Sequence, residues 1–367
     1  MSDPLPIPRR PADVTGEWLS AALSSCGAPT QVSDVVLAPV GTGQTGATYR
    51  IAASYAANPL GMPDTFVLKL PVADDDVRGG VTLGYLSEVA FYARVADKMA
   101  VPTPRCFYSD IADGGADFAL LLEDMSPAAQ GDQIVGSTPA EARVAVTALA
   151  GLHGPSWCDP AWLDLAEVAM PMPGNREAAQ GLGDVARIAV DMTCDKLGAK
   201  VTADDRETAT AAMDLVTPWL MAKPGRYSLM HGDYRLDNLL FDPGGTRVTV
   251  VDWQTMGVGL PARDLSYFTA TSLLPELRAD VEEGLVDDYH QSLLGYGVTN
   301  YDREACWRDY RLGMLQAPLI TALGCAFASS TERGDEMIAV MLQRGCRAIR
   351  ELGTLALVEE IAGQRPS

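Results

Sequence analysis

Three oxygen-bearing side chains, Asp233, Asn238 and Asp252, stand on a stretch of chain that has few ways to fold. Leu239-Leu240-Phe241 reads as a short strand, Asp242-Pro243-Gly244-Gly245 as a turn, and Val248-Thr249-Val250-Val251 as the returning strand. An antiparallel hairpin of that length puts Asn238 roughly opposite Asp252, about 5 Å apart across the pair. His231-Gly232-Asp233 precedes the hairpin. Alone, His-Gly-Asp reads equally well as a plain turn and Asp252-Trp253 as a strand end, since short motifs arise by chance.

The chemistry of the three groups is more specific than their backbone. Phosphoryl transfer from a nucleotide needs a carboxylate that orients and deprotonates an attacking hydroxyl. It also needs oxygen ligands that hold Mg²⁺ against the phosphates. Asp233 as catalytic base, with Asn238 and Asp252 as metal ligands, supply that set in the order of a kinase-like catalytic loop.

Features upstream point the same way. Val35 to Val40, Ala47 to Tyr55 and Thr65 to Pro71 read as three strands of an antiparallel sheet. Gly41, Gly43 and Gly46 lie between the first two, where a side-chain-free backbone can fold tightly over phosphates. A β-rich run follows those glycines, so the dinucleotide-binding fingerprint, which requires a helix there, is disfavoured. Lys69 sits inside the apolar run Phe66-Val67-Leu68-Lys69-Leu70, and a buried ammonium wants a nearby anion. Glu88, on a predicted helix from Leu83 to Met99, shares a face with Tyr92, Val95 and Met99 and is the expected partner. Arg105 to Ile111 and Asp117 to Leu122 form a further hairpin. It runs into Glu123-Asp124-Met125, a connector in which the backbone of Glu123 and Met125 would meet an adenine edge.

Composition narrows the class. The chain has 367 residues and a formal net charge of −20, which disfavours a nucleic-acid backbone or an anionic membrane as partner. Seven cysteines without a Cys-x-x-Cys pair read as free thiols. Met1 to Pro11 lacks an apolar core for export, and the uncharged stretch Leu312 to Thr331 carries Gln316 and Pro318, as a buried helix would. A cytoplasmic protein, monomer or homodimer, is expected.

Beyond residue 126 helices dominate. Thr138-Pro139-Ala140-Glu141 is a capping box opening a helix to about Leu152, where His153 reads as structural. Thr202 opens another helix, kinked near Pro218. Segments around Pro275 to Leu294, Arg303 to Ser330 and Asp335 to Ile361 follow. The expected class is α+β, with a small antiparallel-sheet lobe over residues 1–125 and a larger, mainly helical lobe over 126–367.

With these residues in view, the chain resembles the aminoglycoside phosphotransferase and choline kinase-like superfamily. His-Gly-Asp-Tyr-Arg-Leu-Asp-Asn, Val-Val-Asp-Trp-Gln and Asp-Phe-Ala-Leu-Leu-Leu-Glu-Asp-Met look most like its ecdysteroid-kinase-like and acyl-CoA-dehydrogenase-associated branches. The resemblance implies a two-lobed protein-kinase-like fold, ATP and Mg²⁺ as cofactors, and a small hydroxylated substrate. It makes Lys69 the phosphate lysine, Glu88 its partner, and Asp264 the aspartate that orders the catalytic loop. Only twelve positions separate Asp252 from Asp264, too few for the segment on which a protein kinase docks a polypeptide. Whether the acceptor is cationic or a bulky apolar alcohol stays open. The competing reading is a nucleotide-binding pseudokinase with a scaffolding role, although this chain keeps the base and both metal ligands.

Overall fold

The computed structural model describes residues 5–40, 46–112, 114–327 and 330–363. The chain divides into two compact units. The first comprises Met1–Asp97, Thr103–Ser126 and Asp252–Gln254; the second comprises Lys98–Pro102, Pro127–Val251 and Thr255–Ser367.

The N-terminal unit is built on β1 (Gln31–Pro39), β2 (Gly46–Ala57), β3 (Thr65–Pro71), β4 (Cys106–Ile111) and β5 (Phe118–Glu123). Their order is β1-β2-β3-β5-β4, and every neighbouring pair is antiparallel. Strand periodicity explains β3: Phe66, Leu68 and Leu70 turn to the core, while Val67 and Lys69 take the other face. On the core side the sheet packs against helix Gly16–Ser25, which buries Trp18, Leu19, Ala22 and Leu23. Thr15 caps that helix by accepting from the Trp18 N–H. The helix carrying Glu88 is α-helical over Thr82–Ala90 and then loosens into a π-helical turn, Phe91–Val95. The regular α-helix expected to reach Met99 therefore ends about two and a half turns early, just before Phe91, which stacks on Trp253.

In the C-terminal unit the capping box forms as expected: Thr138 accepts from the Glu141 N–H, and Glu141 accepts in return from the Thr138 N–H. Helix Pro139–His153 follows. The chain then forms Arg176–Leu197, a 22-residue helix that the sequence reading did not find. The helix opened by Thr202 breaks rather than kinks, with Ala203–Asp214 and Val216–Leu220 as separate pieces. The uncharged stretch around residue 312 also splits, between Arg303–Gly313 and Gln316–Phe327. Among the described residues no helix is long and apolar enough to cross a membrane.

Short strands position the loops. β6 (Ala129–Gln130), β8 (Leu239–Phe241) and β9 (Val248–Val250) form one small sheet, and β7 (Ser228–Met230) pairs with β10 (Gly257–Gly259) in another. The β8–β9 hairpin is as predicted, but its register is one residue off: Leu239 faces Val250, and the Val251 N–H donates to Asn238 O over 3.0 Å. Asn238 is thus opposite Val251, not Asp252. Two further bonds tie residues 98–102 into this unit, Ala100 N–H to Gly151 O and Val250 N–H to Pro102 O. Helix Ala262–Ser272 is buried at every residue, so packing on all sides fixes what it carries.

Candidate active site

His231-Gly232-Asp233 continues directly from β7, and Asp264 on the buried helix holds it from beneath. Asp264 Oδ2 accepts the His231 N–H at 2.6 Å, and Oδ1 accepts the Gly232 N–H at 3.0 Å. His153 Nε2 reaches Asp264 Oδ2 at 3.3 Å while its Nδ1 meets the Tyr289 hydroxyl at 2.7 Å, so His153 is a buried brace. The His231 ring fixes its own tautomer. Nδ1 accepts from the Asp233 N–H, which leaves Nε2 to donate to Val251 O at 3.0 Å. Gly232 has φ +83°, and a Cβ there would stand 2.2 Å from Thr255 O. Only glycine suits that position.

The Asp233 carboxylate is oriented by three donors. Tyr267 donates to Oδ1 at 2.6 Å, Asn238 Nδ2 donates to Oδ2 at 3.0 Å, and Arg235 Nε lies 3.2 and 3.1 Å from the two oxygens. Arg235 also reaches Asp237 through Nη1 at 2.8 Å. Burial depresses the Arg235 guanidinium, but Asp233, Tyr267 and Asp237 outweigh it and hold its pKa above the usual value. Burial, and then the Asp233 charge, push the Tyr267 phenol well above its ordinary range, so it stays a donor. Arg235 and Tyr267 were not singled out from sequence. The available signals were a base two residues after Asp233 and a tyrosine one helical turn after Asp264.

Lys69, Glu88 and Asp252 come together in the N-terminal unit. Lys69 Nζ lies 2.5 Å from Glu88 Oε1 and 3.7 Å from Asp252 Oδ1. Gln254 Nε2 adds a second donor to Glu88, at 3.4 Å. Burial would neutralise the Lys69 ammonium; Asp252 and Glu88 override it and keep its pKa raised. The segment bearing Asp252 is anchored by Trp253, whose ring stacks on Phe91 with centroids 3.5 Å apart and planes 6° from parallel. Ser87 Oγ donates to Trp253 O as well. Asp252 itself takes a left-handed backbone, φ +68°. That is an uncommon conformation for a residue with a side chain, and such strain concentrates at functional positions.

The remaining expected residues fall as follows. Gly41 and Gly43 lie outside the described residues. Gly46 opens β2 opposite Pro71, and a Cβ there would be 4.0 Å from Gln254 Nε2. Glu123 ends β5 opposite Phe66 and accepts from the Arg105 N–H, with Met125 two residues on. Tyr234, next to Asp233 in the motif, is fully buried and donates to Ala145 O.

Asn238 and Asp252, the expected metal ligands, each carry an oxygen donor of the kind a hard cation takes. Asn238 Nδ2 is committed to both the backbone O and the Oδ2 of Asp233, which leaves its amide oxygen as the group with acceptor capacity. The Asp252 carboxylate is 41% exposed beside the Lys69 charge.

Residues 37–305 match the phosphotransferase enzyme family known as APH. The chain belongs to that family. Among curated proteins it is 35% identical over 78 residues to human acyl-CoA dehydrogenase family member 11, a match covering 20% of this chain and 10% of that protein. The chain thus spans only a small part of the length of such relatives. Two solved structures share its fold. A putative aminoglycoside phosphotransferase from Ralstonia eutropha aligns with a TM-score of 0.52 at 18% identity, over 95% of this chain and 98% of that one. Choline kinase from Cryptosporidium parvum aligns with a TM-score of 0.57 at 9% identity, over 88% and 91%. The α+β architecture is accordingly the kinase-like fold of this family.

Proposed function

We propose that this phosphotransferase moves the γ-phosphoryl group of Mg-ATP to a hydroxyl of a small molecule. The observation that carries the reading is the Asp233 carboxylate, immobilised by Tyr267, Asn238 and Arg235 in a family of phosphotransferases. A carboxylate so fixed presents one orientation to an incoming hydroxyl, and positioning is most of what phosphoryl transfer asks of a protein. The long Arg235 contacts are the ones a substrate hydroxyl would displace. Asp233 would then accept the hydroxyl proton as the new O–P bond forms.

Lys69, kept charged by Glu88 and Asp252, would grip the α- and β-phosphates, and the glycines at 41, 43 and 46 would cover them. Asn238 Oδ1 and the Asp252 carboxylate are the groups that would hold Mg²⁺, which supplies neutralisation of phosphate charge when bound. Glu123 and Met125 would offer backbone groups to the adenine. The short interval from Asp252 to Asp264 is occupied by β10 and the start of the buried helix, which supports a small acceptor over a polypeptide.

A transfer screen with γ-labelled ATP, run against choline-like cations and against bulky apolar alcohols, tests the reading. Labelled product with the wild type, none with Asp233→Asn, and ATP binding retained by that variant are expected. Neither ATP binding nor transfer to any acceptor would overturn it.

A further inference from the structure

Helix Arg176–Leu197 has two apolar faces. The inner one buries Ala179, Gly183, Ala186 and Val190 in the C-terminal unit. The outer one carries Ala178, Gly181, Val185, Ile188 and Met192, at intervals of three, four, three and four residues. That is the spacing of a helix that pairs lengthwise with another, sustained over about 21 Å. Val185, Ile188 and Met192 are 41%, 62% and 51% exposed, so among the described residues nothing closes over this seam. A contiguous outward apolar row, unlike a single exposed side chain, marks an interaction surface.

The two interior glycines separate the roles of the faces. A glycine inside a helix weakens it relative to alanine, so each calls for a packing reason. Gly183 has one within the protein, because a Cβ there would stand 2.7 Å from Thr217 Oγ1. A Cβ at Gly181 would meet no atom within 4 Å. The bare position lies in the outer seam, one turn before Val185, where it lets a second backbone come close.

Charge selects the occupant. Glu177, Asp184 and Asp191 recur every seven residues along one edge of the seam, and Leu182 and Ala189 form the other edge. Arg187 pairs with Asp184, while Glu177 and Asp191 form no ion pair among the described residues. In an antiparallel pairing of two copies of this helix the acidic edges would lie against each other. In a parallel pairing each acidic edge would face Leu182 and Ala189. Neither arrangement gives the carboxylates a counter-charge, and opposed like charges count against a partner. An anionic membrane is repelled on the same ground.

We propose that this face docks a helix of another protein whose apolar seam is flanked by Lys or Arg. That seam would close over Val185, Ile188 and Met192, the two backbones would come nearest at Gly181, and the basic flank would pair with Glu177 and Asp191. Burial of the apolar row supplies the affinity, and the charges set partner and register. The surface lies on one helix of the C-terminal unit, and the proposal does not rest on the phosphotransfer reading.

A synthetic helix of three heptads, with leucine in the seam, lysine on both flanks and a fluorescent label, tests it when titrated with the full chain. The same peptide with glutamate for lysine is the control. Saturable binding of the lysine peptide is expected, with the glutamate peptide weaker by roughly tenfold. The double variant Glu177→Lys, Asp191→Lys should reverse that preference. Ile188→Lys, an exposed position, should weaken the lysine peptide by about tenfold while the melting midpoint stays unchanged. No binding, equal binding of the two peptides, or a preference that survives the charge reversal would overturn the proposal. So would a dimer in sedimentation that Ile188→Lys dissociates, since the face would then belong to a second copy.

Discussion

Tyr267 donates to Asp233 Oδ1 over 2.6 Å from a helix that is buried at every residue. The phenol therefore has no freedom to follow a wandering carboxylate; the carboxylate is held to the phenol. Tyr267→Phe removes one charge-assisted bond and little volume, a loss of about 1.5–3 kcal/mol in orientation. Turnover should fall on the order of tenfold or more while the Michaelis constant for ATP stays unchanged. An assay of product formation across ATP concentrations checks it, and a fall in ATP affinity alone would show that Tyr267 acts elsewhere.

Gly232→Ala tests the loop backbone. The new Cβ would meet Thr255 O at 2.2 Å on a residue at φ +83°. A backbone shift is then unavoidable, with a stability cost of about 3 kcal/mol or more. Urea unfolding of the variant should show a lowered midpoint, and turnover should drop with it.

Trp253→Ala leaves the stacked face of Phe91 uncovered inside the N-terminal core. A loss of about 3–5 kcal/mol is expected for a truncation of this size. Trp253→Phe, which keeps a ring over Phe91, should recover much of that. Calorimetric melting of the two variants distinguishes packing from any polar role of the indole.

The turn between β8 and β9 gives a pH test. Asp242 accepts from the Arg247 and Thr246 N–H groups, both at 2.7 Å, and its pKa is lowered chiefly by the Arg247 bond. A carboxylate depressed on folding contributes stability that is present above its unfolded pKa and fades as the pH falls through the folded value. Asp242→Asn should therefore melt below the wild type at pH 7, with the gap closing as the pH drops below about 4. A gap independent of pH would assign the effect to geometry instead of charge.

What could be read in the sequence was local. Alternation gave β3, the Ser/Thr-x-x-Glu pattern gave the helix at Thr138, and an ammonium among apolar neighbours required a partner that proved to be Glu88. The errors came where distant packing decides. A one-residue shift in the β8–β9 register exchanges Val251 for Asp252 opposite Asn238, and turn composition alone does not fix it. Arg176–Leu197 carries two glycines in its interior that weaken its local helical signal, yet its small and apolar face finds partners across the C-terminal unit. Tyr267 offered only its spacing from Asp264, because its meaning comes from Asp233, 34 positions away.

The two units are not consecutive stretches of chain. A fragment stopping at Ser126 would lack the indole that covers Phe91, and one starting at Pro127 would lack the backbone groups that bond Gly151 and Val250. A single recombination crossover in the intervening connector would therefore graft two incomplete cores. Chimeras between relatives should survive only when residues 98–102 and 252–254 are inherited along with the halves they complete.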